Sequence, residues 1–274
     1  MLRTGFGAAT AKSLSATGGG RQRMSDRGGG ADTVIRSIGG EDFAVWLDVA
    51  MIQGLTNGAK VTSWTPTIGT GPVQGDATKQ PIYRPVGFNG HPAVQFDNSN
   101  DCLAWTSGQL NSGGTEKCTI ASVGNTASTS ANSVIFEVGA AYWAGRYAAQ
   151  FYNTSEKGVS AEGPGGTEGS VTVVTEKDNV FISAFDRGTN PDTIVSYING
   201  EPATPAAETT TNNTDTFLWN TGANLGARNN GSSLPLNGDL REFIIINRLL
   251  SEEESCRLGK ALMNKCGLTE QYVA

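Results

Sequence analysis

Residues 222–267, GANLGARNNGSSLPLNGDLREFIIINRLLSEEESCRLGKALMNKCG, constrain the fold more than any other stretch. Leu240, Phe243 and Ile245 alternate with Arg241, Glu242, Ile244 and Ile246 in a run of β-branched and aromatic side chains, the pattern of a buried strand. Asn237-Gly238-Asp239 just before it has turn chemistry, because Asn and Gly tolerate positive φ. Ser251 with Glu254 three residues on forms a capping box, and acidic side chains at 252–254 suit the positive end of a helix dipole. Gly267 stands where a glycine stops a helix. The stretch therefore reads as strand, turn, strand and one short helix over 251–266.

Upstream, the pattern is strands joined by turns. Phe43–Asp48 predicts a first strand with Phe43, Val45 and Leu47 on one face and Trp46 on the other. A helical turn is expected over 50–55 and strands over 61–64, 93–96, 118–123, 133–138, 170–175, 180–185 and 193–198. Residues 65–80 read as a loop, and 201–216, EPATPAAETTTNNTDT, as a polar surface excursion. Thirty-six glycines in 274 residues fit this turn-rich organisation. A chain of this length holds one large sandwich comfortably, and no second hydrophobic core is apparent.

The order Leu225-Gly226-Ala227-Arg228, Pro235-Leu236-Asn237-Gly238-Asp239, then 242–254 resembles the last third of concanavalin A-like jelly rolls of the laminin-G-like type. Residues 44–64, 77–103 and 196–202 fall in the order those domains use, so the resemblance covers roughly 41–267. It implies an all-β, two-sheet antiparallel jelly-roll sandwich with a short C-terminal helix. It says little about function, since this sandwich carries lectins, glucanases, receptor modules and viral surface proteins alike. The expected organisation is an extended basic N-terminal arm at 1–40, the sandwich at 41–267 and a tail at 268–274.

Charge divides the chain in two. Residues 1–31 hold Arg3, Lys12, Arg21, Arg23 and Arg27 against Asp26 alone, a balance of +4, which leaves −10 on the rest of a chain whose net charge is −6. An acidic body disfavours direct nucleic-acid contact, which needs clustered Lys and Arg. No run approaches the ~18 apolar residues that span a bilayer, and the start lacks the apolar segment of a secretory signal. A Gly-rich basic arm with few apolar side chains has little of its own to bury, so it is expected to dock on other protein chains.

Candidate chemistry is sparse. The glucanases of this fold use E-x-D-x-x-E on one strand, and no such triplet occurs here. The only histidine, His91, sits in a turn, and no Walker loop is present. Cys102, Cys118, Cys256 and Cys266 lack CxxC spacing, which disfavours zinc and leaves buried thiols or a disulfide open. In 142–152, YWAGRYAAQFY, a strand would place Tyr142, Arg146, Gln150 and Tyr152 on the face opposite Trp143, Tyr147 and Phe151. That set either stacks on a glycan or partner, or makes an ordinary solvated face. The turn Asp97-Asn98-Ser99-Asn100-Asp101 offers hard oxygens from Asp97, Asn100 and Asp101 for calcium, or serves as turn chemistry alone.

These readings predict a non-catalytic virion structural protein: a phage capsid decoration or tail-associated protein, multicopy or homo-oligomeric. Its arm (Arg3, Lys12, Arg21, Arg23, Arg27) would contact other virion proteins while the jelly roll is displayed for stabilisation or host-glycan adhesion. The alternatives are a secreted or surface carbohydrate-binding module, extracellular rather than virion-borne, and a glycoside hydrolase of the same fold.

Overall fold

The computed structural model describes residues 22–110, 117–126, 133–139, 146–153, 158–162, 168–172, 178–186, 192–210 and 222–268. Helix α1 (Gln22–Gly39) comes first, then β1 (Phe43–Asp48), β2 (Pro66–Gly69), β3 (Ile82–Arg84), β4 (Ala93–Asp97) and β5 (Leu103–Trp105). The middle of the chain supplies β6 (Lys117–Gly124), β7 (Ser133–Gly139), β8 (Arg146–Asn153), β9 (Gly158–Glu162), β10 (Glu168–Thr172), β11 (Asn179–Asp186), β12 (Asp192–Ile198) and β13 (Glu201–Thr210). The last part supplies β14 (Ala223–Leu225), β15 (Asn237–Ile246) and α2 (Glu252–Cys266). One sheet runs β13-β12-β11-β6-β15-β1-β2, with β4 on β15 and β3 on β4; the other runs β10-β9-β8-β7-β14-β5. All described pairings are antiparallel, so the two-sheet sandwich expected from sequence is present.

Strand β15 lies between β6 and β1 and is buried on both faces. Leu240, Phe243 and Ile245 enter the core between the sheets, whereas Ile244 and Ile246 enter a second apolar layer on the other side of the larger sheet. The three-residue step from Leu240 to Phe243 is allowed by a register shift between Leu240 and Glu242 against β6, since an extra residue flips the side-chain alternation. A similar shift between Phe43 and Val45 overturns the expected face of β1. Val45 and Leu47 point between the sheets, but Phe43 joins Trp46 on the outer side, their rings stacked 5.8 Å apart.

The outer layer is the main departure from the sequence reading, which expected one core and an extended arm through residue 40. Residues 22–39 instead form α1, whose described part packs against α2. Ile35 and Ile38 are buried there with Trp46, Leu258 and Leu262. Each fully buried aliphatic side chain contributes roughly 1.5–3 kcal/mol, so the few apolar residues of this segment suffice to seat it. Arg248 fastens the junction: its guanidinium donates to the Ile38 carbonyl at 2.6 Å, pairs with Asp42 at 3.0 Å and forks onto Glu254 at 2.9 and 2.8 Å. Helix α2 begins with the expected Ser251/Glu254 capping box and ends on Gly267 at φ +70°.

Four further expectations are corrected. Residues 61–64 make only an isolated bridge from Ser63 to Val73, and part of the expected loop at 65–80 becomes β2. Of the supposed excursion over 201–216, residues 201–210 are β13, an edge strand on β12, where Pro202 and Pro205 cost little because one side needs no ladder donors, and 211–216 lie outside the described residues. Asn237-Gly238-Asp239 belongs to β15 and pairs with β4 rather than turning. Gly238 is required there because a Cβ would lie 2.1 Å from the Asn125 carbonyl oxygen.

Candidate functional site

Of the aromatic-polar face proposed on 142–152, only Gln150 has a described side chain, and it does not face solvent. Tyr142 lies outside the described residues; Arg146 and Tyr152 fall on β8, with side chains also outside them. Gln150 is fully buried and faces the opposite sheet. Its Oε1 accepts from the Ser122 hydroxyl at 2.8 Å, and its Nε2 donates to the Ile120 carbonyl at 3.2 Å and to Ser183 Oγ at 3.0 Å. It therefore ties β8 to β6 and β11 instead of contacting a ligand. Only its setting between small alanines and an aromatic hinted at an inward amide. Of the arm residues, Arg3, Lys12 and Arg21 lie outside the described residues, and Arg23 and Arg27 fall on α1 rather than on an extended arm.

The oxygen-rich turn proves more informative. Asp97 ends β4 and its Oδ1 accepts from the Ser99 N–H at 2.9 Å. Asn98 takes φ +62° and donates its N–H to the Leu236 carbonyl at 2.9 Å, which is turn chemistry as expected. Asn100 is half-buried, and its carbonyl packs so closely on Gly231 that a Cβ there would lie 2.2 Å away. Asp101 is only 2% exposed. Burial, reinforced by the Asp97 charge and partly offset by Lys60, pushes its carboxyl up to about 6.

Two other loops meet this turn at the same rim. Cys102 N–H donates to the Lys79 carbonyl at 2.9 Å; Gln74 Nε2 donates to Asn230 Oδ1 at 2.9 Å; Lys79 Nζ donates to the Asn230 carbonyl at 3.0 Å. Asn229 and Asn230, both at positive φ, turn the third loop, and Arg228 just before them reaches Glu137 Oε2 at 2.7 Å. Glu137 alternates on β7 with Phe136 and Val138, which face the core, so this buried ion pair holds the loop over the outer side of the smaller sheet. The result is a rim of carboxylates, amides and hydroxyls, with Asp76, Thr78, Asp97, Ser99, Asn229 and Asn230 exposed. Neither the carbonyl packing nor the meeting of the loops has a local sequence signature.

Among the described residues, no group of three or more His, Cys, Asp and Glu side chains gathers in a metal-like cluster. All four cysteines are free thiols. No helix of the described residues is long and apolar enough to cross a membrane.

No family model matches the chain, and no curated protein matches it. Among solved structures, it is similar to Trypanosoma rangeli sialidase in complex with sialic acid at a TM-score of 0.55 and 9% identity, covering 88% of this chain and 38% of that one. The fold is shared with sialidases. A mutant of that sialidase displaying trans-sialidase activity matches at 0.57 and 9%, over 89% of this chain and 39% of that one. Ruminococcus gnavus IT-sialidase CBM40 bound to α2,3-sialyllactose is similar at 0.48 and 15%, over 60% of this chain and 94% of that one. The chain thus spans less than half the length of the Trypanosoma sialidases it resembles. At these identities the shared property is the fold. The comparison nevertheless overturns the expectation that the chain is not an enzyme. That exclusion rested on missing catalytic motifs, whereas the fold is shared with part of the sialidase chains.

Proposed function

We propose that this chain is a carbohydrate-recognition β-sandwich, the alternative rather than the main expectation from sequence. The observation that carries the reading is the three-loop rim, where exposed Asp, Asn, Thr and Ser side chains stand on a rigid scaffold, as recognition of sugar hydroxyls requires. The sandwich shared with sialidase chains supports the same reading. The particle-component reading drew its force from an arm with nowhere to sit on its own subunit. With Ile35 and Ile38 buried against α2, that reason no longer holds for residues 30–39.

The test is a glycan array spanning neutral and sialylated oligosaccharides, followed by titration of any hit. Binding of a defined glycan, lost when bulk is placed on the exposed rim in Thr78→Trp, is the expected result. No binding above background, or binding indifferent to that change, overturns the proposal. Release of free sugar from the bound glycan would extend the function from recognition to hydrolysis.

A further inference from the structure

Five asparagines of the chain precede a glycine: Asn57, Asn89, Asn199, Asn230 and Asn237. In such a pair the glycine nitrogen is able to attack the asparagine side-chain carbonyl, because glycine has no side chain to block the approach. Folding restrains four of these pairs. Gly58 N–H donates to the Tyr83 carbonyl at 2.9 Å, and Gly90 N–H to the Gly87 carbonyl at 3.4 Å. The Asn199 amide is held at both ends, its Oδ1 by Val180 N–H at 2.9 Å and its Nδ2 on Asn179 Oδ1 at 3.1 Å. Asn237 and Gly238 are fixed in the ladder of β15 with β4.

Asn230-Gly231 is different. Among the described residues Gly231 N–H donates to no acceptor and Asn230 Nδ2 has no partner, while groups that favour the attack stand on both sides of it. Lys79 Nζ donates to the Asn230 backbone carbonyl at 3.0 Å, and a cation on that oxygen makes the adjoining Gly231 N–H easier to deprotonate. Gln74 Nε2 at 2.9 Å and the Cys102 thiol at 3.3 Å both donate to Asn230 Oδ1, where negative charge builds as Cγ becomes tetrahedral. Burial pushes that thiol up to about 11, so it keeps the proton it donates.

We propose that Asn230 is a self-modification site, converted by attack of the Gly231 nitrogen to a cyclic succinimide and then by water to aspartate or isoaspartate. The Gly231 nitrogen forms a bond to Asn230 Cγ and loses its proton to solvent. The Cγ–Nδ2 bond then breaks, and Nδ2 takes up a proton and leaves as ammonia. Water adds to either ring carbonyl and reopens the ring, leaving a carboxylate with no change in oxidation state. Asn230 is exposed, so water reaches both the leaving amide and the ring. The consequence for binding rests on the glycan reading. Either product adds a negative charge to a rim that already exposes Asp76 and Asp97, and isoaspartate also lengthens the backbone beside the Asn100 carbonyl on which Gly231 packs. The modified chain therefore binds glycan more weakly than the fresh one.

The experiment is incubation of the full chain at neutral and mildly alkaline pH, with peptide mass mapping for conversion of amide to acid and enzymatic methylation of isoaspartate as a second readout. Asn230 is expected to be converted before the other Asn-Gly pairs, and faster at the higher pH because the nucleophile must lose a proton. Lys79→Met should slow the conversion about two- to tenfold by removing the cation from the Asn230 carbonyl. If that variant does not fold, the order of conversion in the unaltered chain still decides. No conversion at Asn230, earlier conversion at another Asn-Gly pair, or an unchanged or faster rate in Lys79→Met would each overturn the proposal. Mass mapping needs no sugar, so a fresh chain that is converted at Asn230 but binds no glycan overturns the glycan reading and leaves the modification site standing.

Discussion

Lys265 Nζ lies 2.6 Å from Glu242 Oε1 in the layer between the helices and the larger sheet. The same ammonium reaches Asp48 at 2.6 Å and Asp32 of α1 at 2.9 Å, and sits 4.8 Å from the Trp46 ring centroid. Trp46 Nε1 in turn donates to Glu242 Oε2 at 2.8 Å. One lysine on the last helix thus joins the first strand, the central strand and the N-terminal helix. Burial works against its charge, yet Glu242 and Asp48 outweigh that and hold its pKa above the usual lysine range. Replacing it by Met leaves buried carboxylates without their counter-ion, and a loss of about 3–5 kcal/mol is expected in urea denaturation.

Asp32 is the partly exposed member of that group, its side chain 40% accessible. Asp32→Ala should cost less than about 1 kcal/mol of global stability. It should act locally, raising amide hydrogen exchange in residues 30–39 while the sandwich strands stay protected. Equal loss of protection throughout the sandwich would show that α1 is integral to the fold rather than seated on it.

Stability should depend on pH through Glu242. Burial first, then the Asp48 charge, push its carboxyl up to about 7, with Lys265 and Trp46 opposing. The folded form therefore holds a proton that the unfolded chain releases near the ordinary value. This contribution is complete below an unfolded pKa of about 4.3 and fades as pH rises through about 7. Glu254 acts oppositely: its pairing with Arg248 holds it down at about 2, so its contribution is present above its unfolded pKa and lost in strong acid. Urea midpoints should fall from pH 5 to pH 8, and Glu242→Gln should flatten that slope.

Arg228→Ala should be among the most damaging substitutions of the rim. It removes the Arg228 cation from Glu137, which is fully buried, for an expected loss of about 3–5 kcal/mol, and frees the loop carrying Asn229 and Asn230. Circular-dichroism melts give the stability loss; hydrogen exchange at 229–232 reports the loop.

Gln150→Ala removes three hydrogen bonds across the sandwich and leaves Ser122, Ser183 and the Ile120 carbonyl without that partner. About 1–3 kcal/mol of destabilisation is expected. A stability unchanged within error would return Gln150 to the solvent-facing role expected from the sequence.

Local chemistry was legible wherever its cause lay within a few residues. The capping box at Ser251 and Glu254, the stop at Gly267, the strand at Phe43–Asp48 and the turn at Asp97–Asn98 each follow from neighbouring side chains, and all are found. The two-faced burial of 240–246 was visible as an apolar run interrupted by polar side chains. What covers its second face was not. Ile35 and Ile38, two apolar residues behind a glycine-rich basic segment, show no partner until α2 and the outer face of the sheet stand beside them. Likewise, Phe43 changes face because of a bulge set by β15, and Gln150 turns inward because Ser122 and Ser183 await it on other strands.

The amino-acid order alone determined that this chain forms an antiparallel β-sandwich closed by a capped helix, because period, turn residues and caps act over short range. Only the tertiary structure decided which carboxylates meet a cation and which, like Asp101, are left without one. Burial and charge pairing depend on residues far apart in the chain, and local pattern carries no record of that distance.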